Sequence, residues 1–131
     1  MVEQLETVWA PRVLSIVRIV VALIFIEHGT AKLLGFPTPP NPGPAMFSLL
    51  WVQGAIEIVG GALLALGVFT RLIAFILCGD MAIAYFMSHA PRGFYPLLNG
   101  GDAAILYCFI FLVFVVLGGG AWSLDRAMSK R

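Results

Sequence analysis

Charge is what this sequence has least of. Only 11% of its 131 residues are Asp, Glu, Lys or Arg, against 60% hydrophobic residues and a mean hydropathy of +0.96. A soluble domain carries about 25% charged and about 45–50% apolar residues. So few polar groups cannot coat a water-soluble fold, and lipid is therefore the expected solvent. The net charge of +1, with no basic stripe, excludes a nucleic-acid footprint. Cysteine is almost as scarce. Cys78 and Cys108 both lie in apolar runs, and there is no CxxC, haem-attachment motif or flavin fingerprint to supply an electron relay. Depths counted from the ends of their spans differ by roughly 10 Å at 1.5 Å per residue. A disulfide is not expected, and the pair reads as small buried hydrophobes. Period-two alternation is also missing, which excludes a β-barrel.

What is present is a set of apolar segments, at about residues 13–34, 47–67, 71–89 and 102–118, near the roughly 20 residues that a bilayer core requires. Prolines 37, 39, 40, 42 and 44, then Gly67, then Pro91, Gly93 and Pro96 punctuate them. The expected fold is all-α, a single transmembrane domain in the form of an integral membrane four-helix bundle. Arg12, Arg71, Arg126, Lys130 and Arg131 flank one side, and Lys32 and Arg92 the other. The bias places both termini in the cytoplasm of a bacterial inner membrane, crossed in several passes. The first apolar run is too long for a signal-peptide core and follows mixed charges, so it is expected to remain in the mature chain. The segments ending at His28 and His89 also suggest an internal repeat of two hairpins.

A charge near the middle of a bilayer costs about 2.5–3.5 kcal/mol on insertion scales, so each one asks for an explanation. Arg18, Glu57 and Asp80 fall at depths from which a midplane cluster is expected, one cation between two carboxylates; a purely structural ion pair is the competing account. A second group gathers toward the outward end: His28 and Lys32 on helix 1, His89 on helix 3, and Asn99 and Asp102 before helix 4, with Glu27 turned toward a different neighbour. Lys32 and Asp102 each have a simpler reading, snorkelling to the interface. Two histidines without cysteine at ligand spacing make a poor metal signature, and no metal is expected. Proton exchange suits the group better, because His titrates near neutral pH. A quinone headgroup entering from lipid needs such donors and acceptors. Helix 2 carries Gly54, Gly60 and Gly61, which permit close helix approach, and Gln53 shares a face with Glu57.

In order and spacing, these residues resemble the DoxX family of small membrane proteins. The resemblance rests on His28-Gly29-Thr30-Ala31-Lys32-Leu33, on Glu57 with Gly60-Gly61, on Thr70-Arg71, and on His89 to Phe94 leading to Asn99-Gly100-Gly101. It runs from about Leu14 to Leu124. Asp102 stands where that family often has Glu, which keeps the acid but shortens its reach. The resemblance implies a four-helix bundle associated with redox complexes: some relatives are subunits of a thiosulfate:quinone oxidoreductase or a quinol oxidase, others serve complexes handling oxidative and thiol stress. The expected function is therefore a membrane subunit of a quinone-linked oxidoreductase complex. Quinone is its expected ligand, held by His28, Lys32, Glu57, His89, Asn99 and Asp102, with no cofactor covalently bound and no catalytic residue assigned. The expected partners are membrane lipid and either a larger redox complex or further copies of the chain. The alternatives are a structural or assembly subunit and a small oligomeric transporter.

Overall fold

The computed structural model describes residues 1–40 and 42–130; Arg131, one of the cations used for orientation, lies outside them. Its helices are α1 (Val2–Leu34), α2 (Leu49–Leu66), α3 (Thr70–Arg92), α4 (Pro96–Asn99), α5 (Asp102–Leu117) and α6 (Leu124–Ser129). No strand occurs among the described residues. α1, α2 and α3 are long and apolar enough to cross a membrane, and α5 is a shorter apolar helix.

The helix boundaries follow from local chemistry. Gly35 and Gly67 end α1 and α2 in the left-handed conformation, at φ of 68° and 70°, which a side chain would disfavour. Ser48 and Ser123 begin α2 and α6 by accepting hydrogen bonds from the N–H groups of Trp51 (3.3 Å) and Arg126 (3.2 Å). α1 starts eleven residues earlier than the apolar run. Pro11 does not stop it, because a wider π-helical turn at Leu5–Trp9 precedes the proline, where its missing N–H would otherwise break the ladder. A second π-helical turn, Tyr85–His89, lies near the end of α3.

Packing is strongest between α1 and α2 and between α3 and α5, and weaker where α2 meets α3. The α1–α2 pair depends on small residues, since lipid supplies no hydrophobic drive between helices. A Cβ added at Gly29 would lie 2.7 Å from the carbonyl oxygen of Gly54, so α1 and α2 touch backbone to backbone. At the centre, Phe25 of α1 meets Phe111 and Tyr107 of α5 edge to face, with ring centroids 5.0 and 5.2 Å apart.

The two chain ends share one end of the bundle, called here the termini end. Ala121 N donates to Pro11 O, and Asp125 N to Gly67 O, both at 2.9 Å.

One expectation is overturned by helix length. The Cys78 and Cys108 sulfurs are 3.6 Å apart, both as free thiols. α5 has 16 residues, about 24 Å of rise rather than a full bilayer core of about 30 Å. Counted from the termini end, Cys78 lies about 12 Å and Cys108 about 13–14 Å along their helices. They sit side by side at one depth.

Candidate functional site

Side chains on an α-helix lean toward its N-terminus, and that rule organises the polar residues of α1. Lys32, near the C-terminal end, leans back into the bundle rather than snorkelling outward. Its Nζ donates to Glu57 Oε1 at 2.7 Å and to Gln53 Oε1 at 3.1 Å, both on α2. Glu57 is 1% exposed. Asp80, on α3, feels the charges of Glu57 and Lys32 and faces the Gln53 side chain. Glu57 Oε2 and Asp80 Oδ2 are both buried without a hydrogen-bond partner among the described residues. His28 lies near Glu57. Its Nδ1 donates to Ile24 O at 3.1 Å, which leaves Nε2 as the acceptor, and its ring stands edge-on to Tyr107 of α5 at 5.6 Å. Four helices thus bring a polar cluster together between apolar walls.

Arg18 does not join it. The same lean carries this side chain away from the carboxylates, toward the termini end, where it is fully buried and donates to carbonyls of Gly119, Ala65 (3.3 Å) and Trp122 (2.8 Å). The cation beside the two carboxylates is therefore Lys32, not Arg18. Ser15, one turn before Arg18, donates to Gly119 O at 3.2 Å and accepts from Trp122 N at 2.9 Å. Together they clasp the 118–123 segment onto α1.

His89 and Asn99 also stand apart from the cluster. Asn99, 1% exposed, donates to Gly93 O (2.9 Å) and Tyr85 Oη (3.2 Å), while its Oδ1 accepts from Gly101 N (2.8 Å). His89 Nδ1 lies 3.1 Å from Asn99 O. These bonds satisfy each other and order the turn between α3 and α5. Asp102 is exposed in the first turn of α5, where a carboxylate suits the positive end of the helix dipole. Of the six proposed ligand residues, the structure brings together His28, Lys32 and Glu57. Asp80, placed at the midplane on sequence grounds, joins them, as do Gln53 and Tyr107. Gln53 was signalled by its spacing from Glu57, whereas Tyr107 looked like any apolar-span aromatic.

A large cavity lies elsewhere, at the termini end. It is an open groove of about 1130 Å³ between α1 and α5, walled by residues such as Leu14, Val17 and Val113 and rimmed by Thr70, Arg71 and Arg126. Asp125 forms part of its floor. Its two carboxylate oxygens accept from the N–H groups of Phe69 (2.7 Å) and Thr70 (2.8 Å), the opening turn of α3. Burial alone would raise this carboxyl, but the Thr70 N–H and hydroxyl, the Phe69 N–H and the Arg18 charge outweigh it and hold the group below the usual carboxylate range. A second groove, about 350 Å³ and wholly apolar, runs between α2 and α3.

Apolar helices around a buried ion pair define a small helical membrane protein with a polar interior. The DoxX family model matches residues 13–90, which is more than half of the chain, and the chain belongs to that family. An uncharacterised protein of Haemophilus influenzae is 49% identical, over 94% of this chain and 96% of its own length. An uncharacterised membrane protein of Mycobacterium tuberculosis is 32% identical, over 88% of this chain and 80% of its own. No solved structure matches.

Proposed function

We propose that the protein is a membrane subunit of a quinone-linked redox complex, and that a quinone headgroup, or a similar lipid-soluble proton acceptor, docks against His28 and the Lys32–Glu57 pair. The observation that carries this reading is the charge arrangement of the cluster: one ammonium, two carboxylates, and one oxygen of each carboxylate buried without a partner. Such a triad bears a net negative charge inside apolar surroundings, where charge is costly. One proton makes it neutral, and a group that gains and loses a proton between helices matches what a quinone requires on reduction and oxidation. His28, exposed on α1 with Nε2 as its free acceptor, stands between the cluster and the lipid. His89, Asn99 and Asp102 are left with positioning roles at the neighbouring turn.

The test is the native complex purified in mild detergent. Copurifying chains are identified by mass spectrometry, and bound quinone is extracted from the same preparation. Stoichiometric quinone with a redox partner is expected, with quinone lost in the His28→Ala and Glu57→Gln variants. Variants that fold normally and keep full quinone content and turnover would overturn the reading. A stoichiometric partner without quinone would favour an assembly subunit instead.

A further inference from the structure

Glu27 puts a carboxylate on the exposed side of α1, within the apolar part of the span. It lies seven residues before Leu34, where α1 ends, and so about 10 Å inside that end of the helix. Its carboxylate has no hydrogen bond or ion pair among the described residues. Lys32 is taken by Glu57 and Gln53, and Tyr107 of α5 lies near Glu27 but carries no positive charge. A charge at such a depth is costly unless it faces a bundle interior or a partner. We propose that this face of α1 is the interface with a second copy of the chain, in which Glu27 of each copy pairs with His28 of the other.

Depth and symmetry name the occupant. Copies inserted in one orientation are related by a two-fold axis along the membrane normal, so each residue meets others at its own depth. At the depth of Glu27 this chain exposes His28, whose Nδ1 is engaged by Ile24 O and whose Nε2 is free. The two side chains stand about 100° apart around the helix. A two-fold axis passing between them sets the left-hand residue of one copy opposite the right-hand residue of the other. Glu27 then meets His28 of the second copy, and His28 meets its Glu27. One proton within each such pair leaves it neutral, either as acid and imidazole or as carboxylate and imidazolium. Two unanswered carboxylates become two neutral pairs.

The rest of the face agrees with that axis. Ile24, one turn before His28, is exposed on it, and Ala31, one turn after Glu27, is small enough for close approach. Val13, Val20, Glu27 and Leu34 are all exposed at seven-residue intervals, the repeat of a left-handed helix pair. Lipid alone would suit the three apolar members of this series but not the carboxylate among them. The inference goes beyond the ligand reading: a headgroup docking at His28 takes the place of the second copy's carboxylate at Nε2.

The test uses protein extracted free of quinone, in a Cys78→Ser/Cys108→Ser background where an added thiol has only its counterpart in another copy to join. Ile24→Cys, reconstituted in liposomes and oxidised with copper phenanthroline, is expected to give a covalent dimer, and Val59→Cys, exposed on α2, to give little. Association is then measured by energy transfer between labelled copies, with helical content followed by circular dichroism. Glu27→Leu or His28→Leu alone should weaken it about thirtyfold, the effect of losing two interhelical hydrogen bonds. In a mixture of the two variants, one Glu27–His28 pair is whole and the other is replaced by two leucines. The mixed pair should therefore form in preference to either variant with itself. Equal cross-linking at Ile24 and Val59, association unchanged by both substitutions, or no preference for the mixed pair would each overturn the assignment. So would a cross-link from Ile24→Cys in native membranes to a different protein in place of the dimer. Because quinone is absent from the association measurements, their failure leaves the ligand reading standing, and loss of that reading leaves the dimer standing.

Discussion

Removing one partner of the Lys32–Glu57 pair should be far more damaging than removing the other. The bond is 2.7 Å long, and the two side chains are 20% and 2% exposed. Lys32→Met leaves Glu57 ionised or forced to hold a proton, with Asp80 nearby and no cation for either. Breaking a buried pair in this way costs about 3–5 kcal/mol. Glu57→Gln is milder, because a glutamine oxygen can still accept from Lys32, whose charge keeps Asp80 and Gln53 as neighbours; the loss expected is about 1–2 kcal/mol, that of an ion pair reduced to a bond with a charged donor alone. The double variant should therefore be more stable than Lys32→Met alone, since the second change removes the stranded charge. The assay is unfolding in mixed micelles of rising sodium dodecyl sulfate fraction, followed by circular dichroism. Equal losses for the two single variants, or strict additivity in the double, would refute the pairing and the orphaned carboxylate together.

Three further outcomes follow from the geometry. Cys78 and Cys108 should cross-link within one chain when a membrane-soluble oxidant such as copper phenanthroline is added, seen as loss of both alkylatable thiols, and neither Cys78→Ser nor Cys108→Ser should lose its remaining thiol. Asp125→Ala should lower stability by about 1–3 kcal/mol, because two backbone donors at the start of α3 lose their acceptor. Since the folded carboxyl is held below its ordinary value, that contribution is present above the ordinary carboxylate range near pH 4 and disappears as pH falls through the depressed value; pH-dependent melting of wild type against the variant reads it directly. Gly29→Ala should cost about 1–3 kcal/mol as an overpacked contact, because its methyl would press on the Gly54 carbonyl, a backbone atom that cannot move aside.

The membrane class and the apolar helices were legible in hydropathy, because lipid imposes length and composition on every span. Glu57, Asp80, His28 and Lys32 were legible as residues that need a reason to be in lipid. Their partners were less so. The pairing of Arg18 with the carboxylates failed because depth along a helix locates Cα atoms, while a long side chain departs from its Cα toward the helix N-terminus. That direction separates Arg18 from Glu57 and brings Lys32 to it. The cysteine spacing failed for a related reason: α5 is shorter than the bilayer, so counting from its far end misplaces Cys108. The extension of α1 before Val13 is polar enough to resemble a disordered leader. The termini-end groove depends on where α1 and α5 part company, which no periodicity records. Asn99 and His89 looked like ligand residues because a turn that ties itself together uses the same amides and imidazoles.

The clasp around Arg18 has a consequence for the order of synthesis. In order of synthesis Arg18 precedes two of its three acceptors, Gly119 and Trp122, by 101 and 104 residues. Until they arrive, α1 and α2 can pair through Gly29 and Gly54 but hold a guanidinium with only Ala65 as an acceptor. A nascent chain halted before residue 118 would carry this guanidinium with two of its three acceptors missing. The segment carrying Gly119 and Trp122 thus completes the clasp, and a truncation that removes it should lower stability more than a change of equal size in the Pro-rich loop.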